Sequence, residues 1–323
     1  MDRREFIKGT AAGIAAAVVG LSGVSEAAIT DNGGPDRIRK RKLGKTGRML
    51  SVIGFGGIVV MGHEQSEANR FVAEAVERGI NYFDVAPSYG NGEAETKLGV
   101  ALAPYRKRVF LADKTARRDR RGAEEELATS LKRLKTDYFD LYQLHALTTM
   151  DDLDRALASD GAIQAFLQAR KDGRIRYIGF SAHSAEVALA AMDRFDFDTI
   201  LFPISYVLYY GANFGPQVVR KAKEKNMGIL ALKMLARQYW PQGVSRSEYP
   251  KCWYQPITDP EEAALAVRFT LSEPVTSTIP PGDIRLFRTA LNLASQFKPL
   301  KQSERELLKQ KAASLNPLFK LAA

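Results

Sequence analysis

The sequence is poorest in cysteine. A single copy, Cys252, stands among 323 residues, which excludes an intramolecular disulfide and a cysteine-rich cluster site. Histidine is nearly as scarce, with three copies at His63, His145 and His183. No grouping of residues has metal-ligand spacing, and no nucleophile triad is visible, so no metal is expected and a barrel hydrolase or isomerase using Asp84 and Lys114 is disfavoured. No linker rich in Pro, Gly or Ser interrupts the chain beyond residue 38, which leaves no boundary for a second domain. The uncharged stretch 9–25 is rich in Ala and Gly and falls at the short edge of what spans a bilayer, so no stable membrane anchor is expected.

What is present is ordinary for a globular chain: 45% hydrophobic and 26% charged residues, enough for one large core. The net charge of +10 concentrates in residues 37–42 (RIRKRK) and 116–122 (ARRDRRG). Asp119 and the acidic run 124–126 interleave with the second cluster, the pattern of a solvated surface rather than of a nucleic-acid site. The first 28 residues read as a targeting segment and are set apart from the fold. Arg3 and Arg4 precede Phe6 and Lys8, residues 9–25 carry no charge, and Ser25, Glu26 and Ala27 give a small-residue cleavage pattern. The segment resembles a twin-arginine export signal, which implies the twin-arginine export machinery as a partner and a periplasmic or otherwise exported destination. Its three basic residues balance its three acidic ones, so the positive charge belongs to the remaining chain.

That chain, residues 38–323, is organised around residues 79–99, GINYFDVAPSYGNGEAETKLG. Ile80, Tyr82 and Phe83 lead into Asp84 as a buried strand does. Pro87, Gly90, Asn91 and Gly92 then turn the backbone before a helix restarts at Glu93. Asp84 is thereby placed at a strand end, with Tyr89 in the loop behind it. A phenol donates a proton usefully only when something lowers its pKa from about 10, and a neighbouring cation would do so.

Short apolar runs alternate with amphipathic helical stretches along the rest of the chain. Strands are expected at 51–56, 81–85, 109–114, 139–144, 177–181, 199–204, 228–232 and 276–279, and helices at 67–78, 124–134, 162–171, 185–193, 216–225 and 261–271. Asp259 followed by Pro260 is a helix start signal. Eight such units close as a single (β/α)8 barrel, whose functional groups come from the C-terminal ends of the strands. Asp84, Lys114, His145 and Ser181 end the second to fifth strands and therefore share one rim.

The stretch 79–99, the run VFLADK ending at Lys114 and the run YFDLYQLH ending at His145 together resemble the signature of the aldo-keto reductase superfamily. Residues 42–57, KLGKTGRMLSVIGFGG, are similar to its opening hairpin and first strand, and residues 174–184, RIRYIGFSAHS, to its fifth strand; the likeness runs from about residue 38 to 292. It implies an NAD(P)H-dependent oxidoreductase acting on a small carbonyl compound. Tyr89 would donate the proton, Lys114 would stabilise the tyrosinate, Asp84 would hold Lys114, and His145 would polarise the carbonyl.

The likeness also implies a nicotinamide dinucleotide laid across the rim. Ser181 matches one carboxamide ligand, while Ala182 and Leu201 stand where the family usually has Asn and Gln. Residues 276–292, TSTIPPGDIRLFRTALN, resemble the segment that holds the adenosine end; Pro281 replaces a frequent basic residue, and Arg288 and Asn292 match in register. Gly56 and Gly282 complete the expected cofactor contacts, and Lys233, at the end of strand seven, faces either a cofactor phosphate or solvent. NADP is favoured, with NAD open. Aromatic residues of the loops after strands six and seven, among them Tyr206, Tyr209, Trp240, Trp253 and Tyr254, either line a substrate pocket or pack the loops onto the barrel. An alternative to the enzyme is a low-turnover nicotinamide-binding sensor or partner subunit on the same barrel, motivated by Ala182, Leu201 and the supply of cofactor outside the cytoplasm.

Overall fold

A computed structural model describes residues 37–321; the segment 1–28 assigned to export lies outside them. The chain opens with an antiparallel hairpin of β1 (Lys40–Lys42) and β2 (Met49–Ser51). The barrel follows as β3 (Phe55–Gly56), α1 (Gln65–Glu77), β4 (Tyr82–Asp84), α2 (Glu93–Leu102), β5 (Phe110–Thr115), α3 (Arg120–Arg133) and β6 (Phe139–Leu147). It continues with α4 (Met150–Leu157), α5 (Ala162–Lys171), β7 (Ile175–Ala182), α6 (Ala185–Arg194), β8 (Thr199–Pro203), α7 (Tyr206–Ala212), α8 (Pro216–Glu224) and β9 (Gly228–Leu232). A second hairpin, β10 (Ala236–Tyr239) with β11 (Tyr254–Pro256), precedes α9 (Pro260–Ser272), β12 (Ser277–Ile279), α10 (Ile284–Ser295) and α11 (Gln302–Ala313).

The large sheet is parallel throughout, in the order β12-β9-β8-β7-β6-β5-β4-β3. Its two ends meet where Ile53 bridges Thr278: Gly54 N donates to Thr278 O (2.9 Å) and Thr278 N to Val52 O (3.0 Å). All eight expected strands are found. The first is shorter than expected, because Met49–Ser51 pairs with β1 and the Ser51 hydroxyl donates to Ile53 O (2.7 Å), which turns the chain before it joins the ring. The expected cap of α9 is also present: Asp259 accepts from Glu262 N, and Pro260 occupies the first turn.

Alternation along the strands divides them into two faces. Phe83, Leu111, Tyr142, Phe180 and Ile200 pack outward against the helices, in the larger core. Tyr82, Phe110, Ala112, Leu141, Leu201 and Leu230 point inward and meet Leu43 and Leu50 of the N-terminal hairpin. The hairpin thus stoppers the N-terminal mouth, and Gly44 is tight enough against Asn226–Gly228 that a Cβ would lie 2.3 Å from backbone atoms. Arg41, from the basic cluster 37–42, is 8% exposed and donates to Leu271 O (2.7 Å) and Val275 O (2.9 Å). No helix among the described residues is long and apolar enough to cross a membrane.

Candidate active site

The inward-facing positions become polar toward the strands' C-terminal ends. Two residues past Tyr82 comes Asp84, two past Ala112 comes Lys114, and two past Leu141 come Gln143 and then His145. The same period-two register that fills the barrel with apolar side chains therefore ends in a polar layer at the mouth.

Lys114 is fully buried, and its three protons have three acceptors: the Asp84 carboxylate, Val85 O at 2.9 Å and the Tyr89 hydroxyl at 3.5 Å. Burial works against the charged amine, but the Asp84 carboxylate outweighs it, with Tyr89 adding to the effect, and the net shift is upward. The second oxygen of Asp84 accepts from the Tyr82 hydroxyl (3.1 Å) and from Gln143 Nε2 (3.2 Å). Tyr82 and Gln143 were not singled out from the sequence, although their place two residues before Asp84 and His145 is a readable signal.

Tyr89 reaches the mouth because Gly90, Asn91 and Gly92 all take positive φ and double the loop back. A side chain at Gly92 would collide with the Arg133 guanidinium at 2.4 Å. Burial raises the pKa of Tyr89, the Lys114 cation opposes it, and burial prevails, so the expected lowering is absent and the phenol is held protonated.

The His145 ring stands edge-on to that of Tyr89, with centroids 6.0 Å apart. Burial, helped by the Lys114, His183 and Arg118 charges, lowers its pKa to about 3, so the imidazole is neutral. β6 is irregular between Leu144 and Leu147, with Ala146 in the left-handed region; Ala146 N donates to the Ser181 hydroxyl (2.7 Å) and Arg118 Nη2 donates to His145 O (2.6 Å). Arg118 is also fixed by Asp152 (2.7 Å). Of the 116–122 cluster, Arg120 and Arg121 are the surface residues expected, paired to Glu124 and Glu125, whereas Arg118 turns in to hold the strand that carries His145.

The other expected residues are placed as follows. Leu201 lies in the barrel interior beside Ser181, and Ala182 packs into the core outside the sheet. Gly56 ends β3 and Gly282 packs on Ile58, where a Cβ would come within 2.2 Å of Cγ2; Pro281 is buried beside it. At the start of α10, Asp283 accepts from Arg285 N (2.9 Å), so a carboxylate already caps that helix end. Arg288 is bound to Glu74 and Asn292 to Arg78. Tyr206 turns away to donate to Glu262 (2.7 Å), and Trp240 Nε1 donates to Cys252 O (2.8 Å).

Lys233, at the end of β9, bears on the donor chemistry of the rim. Its backbone is left-handed (φ 73°), and its amine lies over the rings of Trp253 (4.8 Å) and Tyr254 (4.6 Å). Among the described residues it has no carboxylate partner, and burial lowers its pKa to about 8. An amine without a counterion at the mouth suits an anionic group such as the pyrophosphate of a dinucleotide. His183 beside it is stacked on Phe319 (5.0 Å) of the C-terminal segment, which the Tyr239 hydroxyl ties down through Leu318 O (2.9 Å).

The profile described as "Aldo/keto reductase family" matches residues 52–252. Among curated relatives, "Uncharacterized oxidoreductase YqkF" of Bacillus subtilis (strain 168) is 38% identical over 157 residues, 45% of this chain and 49% of that protein. L-galactose dehydrogenase of Arabidopsis thaliana is 28% identical over 249 residues, 71% of this chain and 74% of that one. The match to the first of these spans about half of the relative's length. The solved holo form of aldo-keto reductase AKR11C1 from Bacillus halodurans superposes with a TM-score of 0.68 at 26% identity, covering 86% of this chain and 98% of that one.

Proposed function

Since the chain belongs to the aldo/keto reductase family, we propose that it reduces the carbonyl group of a small aldehyde, ketone or quinone with Tyr89 as proton donor. The observation that carries this reading is the contact of a protonated phenol with a buried, carboxylate-held ammonium at the strands' C-terminal mouth, beside a neutral imidazole. The nicotinamide dinucleotide, when bound, supplies the hydride to the carbonyl carbon. The chain supplies the rest. His145, being neutral, donates a hydrogen bond to the carbonyl oxygen, where negative charge grows in the transition state. The Tyr89 O–H bond breaks as the proton passes to that oxygen, and the Lys114 ammonium stabilises the tyrosinate left behind. Asp84, saturated by Tyr82 and Gln143, keeps Lys114 charged and aimed.

For the cofactor, Lys233 supports binding of the pyrophosphate. Gly56, Ser181, Ala182 and Leu201 are assigned to the nicotinamide end, and Pro281, Gly282, Arg288 and Asn292 to the adenosine end, with NADP favoured. Segment 1–28 directs the protein out of the cytoplasm, so that the dinucleotide is loaded before export.

Tyr89→Phe is expected to lower turnover of an aldehyde or quinone by about 10²–10⁴-fold, with the dissociation constant of the dinucleotide, read by fluorescence titration, nearly unchanged. Full turnover in the variant would remove Tyr89 from the role. Tight dinucleotide binding by the wild type with no turnover of any carbonyl would instead favour a sensor, a reading motivated by the apolar Ala182 and Leu201 in place of two amide side chains.

A further inference from the structure

Helix α10 leans on α1, and the two are tied by charge rather than by apolar packing alone. Arg288 is gripped by Glu74 through three contacts, Nε to Oε1 at 2.9 Å and to Oε2 at 3.2 Å, and Nη2 to Oε2 at 2.7 Å. Arg78 Nη2 donates to Asn292 Oδ1 at 3.1 Å, one turn further along both helices. The guanidinium of Arg288 also lies over the Phe71 ring (5.7 Å), and Phe71, Glu74, Ile284 and Arg288 line a cavity of 450 Å³ between the helices. The remaining arginine near the start of α10, Arg285, is held by Asp283 (2.9 Å), donates to Glu248 O (2.5 Å) and lies over the Tyr249 ring (4.5 Å). Both arginines of this helix are therefore committed to carboxylates.

This matters for a dinucleotide whose adenosine end lies over α10, the reading on which the inference rests. A ribose 2′-phosphate and a carboxylate compete for the same guanidinium fork. Wherever the phosphate reaches Arg288 it must displace Glu74 or lie beside it, and a displaced but nearby carboxylate repels it. A cofactor with a bare 2′-hydroxyl meets neither obstacle. Both partners are partly open to water, Arg288 at 47% and Glu74 at 31% side-chain exposure, so the exchange needs no unfolding.

We propose that Glu74 is a specificity-determining residue: by holding Arg288 it erodes the advantage of the 2′-phosphate and lets NADH serve alongside NADPH. Cofactor preference is then set from α1, an element outside the phosphate-binding segment, through an arginine whose presence alone would predict strong NADP selectivity.

The test is equilibrium fluorescence titration of the full chain with NADPH and NADH. Wild type, Glu74→Gln, Arg288→Ala and the double variant are compared. Glu74→Gln is expected to tighten NADPH by about three- to fivefold and to leave NADH within about twofold. In the Arg288→Ala background the same substitution is expected to give no gain beyond about twofold, because the two residues act as one unit. Equal effects on the two dinucleotides, or no effect on NADPH, would overturn the role of Glu74 while leaving the cofactor reading intact. Failure of the wild type to bind either dinucleotide would overturn both.

Discussion

Asp113 illustrates how much one side chain is governed by the face of the strand it sits on. It is the neighbour of Lys114, yet alternation sends it outward and away from the mouth, where it is fully buried, accepts from Lys114 N (2.8 Å) and feels the charge of Glu95. Asp113 Oδ2 and Glu95 Oε1 are both buried without a hydrogen-bond partner among the described residues. Burial first, and the Glu95 charge second, raise the Asp113 pKa well above its ordinary 3.8. In the unfolded chain the same group loses its proton near that ordinary value, so above it the folded state holds more protons than the unfolded one. The contribution of this group to stability is therefore expected to be full below that ordinary value and to be lost as pH rises through the folded pKa, by up to about 1.4 kcal/mol per pH unit. Urea unfolding between about pH 4 and 8 should show the slope in wild type and lose it in Asp113→Asn; an unchanged slope would assign it to other groups. Asp84, Lys114 and His145 could be proposed from the sequence because each ends a run with strand composition, and Tyr89 because it sits in the Pro- and Gly-marked turn that follows the first of them. Arg118 was not, since only a fold that brings the loop after β5 against the end of β6 shows that one arginine of a basic cluster points inward.

Elements were legible where they repeat and obscure where they occur once. The eight strands and the helices between them follow from periodicity, and their order was enough to close the barrel. The split between β2 and β3 was not readable, because it depends on a hydroxyl turning back onto the next backbone carbonyl. Nor was the β10–β11 hairpin, whose strands are separated by residues 240–253, a stretch rich in turn-forming residues. The N-terminal hairpin was expected only as a likeness, and its mechanical role became visible with its contacts: Leu43, fully buried, enters the barrel from below to meet Leu141, Leu201 and Leu230. Leu43→Ala removes that contact where the ring of strands allows little collapse. A loss of about 2–5 kcal/mol in unfolding free energy is expected, measured by denaturant titration, with dinucleotide affinity nearly preserved because the polar layer lies at the opposite mouth. A loss below about 1 kcal/mol would mean that the hairpin merely covers the barrel without filling it.

At the scale of the whole molecule, closure joins residues far apart in sequence: the bridge from Ile53 to Thr278 makes the ring complete only when nearly the entire chain has been placed. A protein of this kind exposes unpaired strand edges until its last strand docks, so the export we propose calls for a route that carries the folded chain. The twin-arginine resemblance of residues 1–28 meets that requirement. The two arginines can be tested without disturbing charge or the barrel: Arg3→Lys together with Arg4→Lys keeps the net charge at +10 and changes nothing from residue 37 onward. Fractionation of cells carrying the full chain is expected to move the protein from the exported fraction to the cytoplasm, still folded and still binding dinucleotide. Export undiminished by the paired substitution would show that the arginines do not address the chain. Loss of the folded protein altogether, instead of its retention, would show that segment 1–28 contributes to the barrel and is not a separable signal.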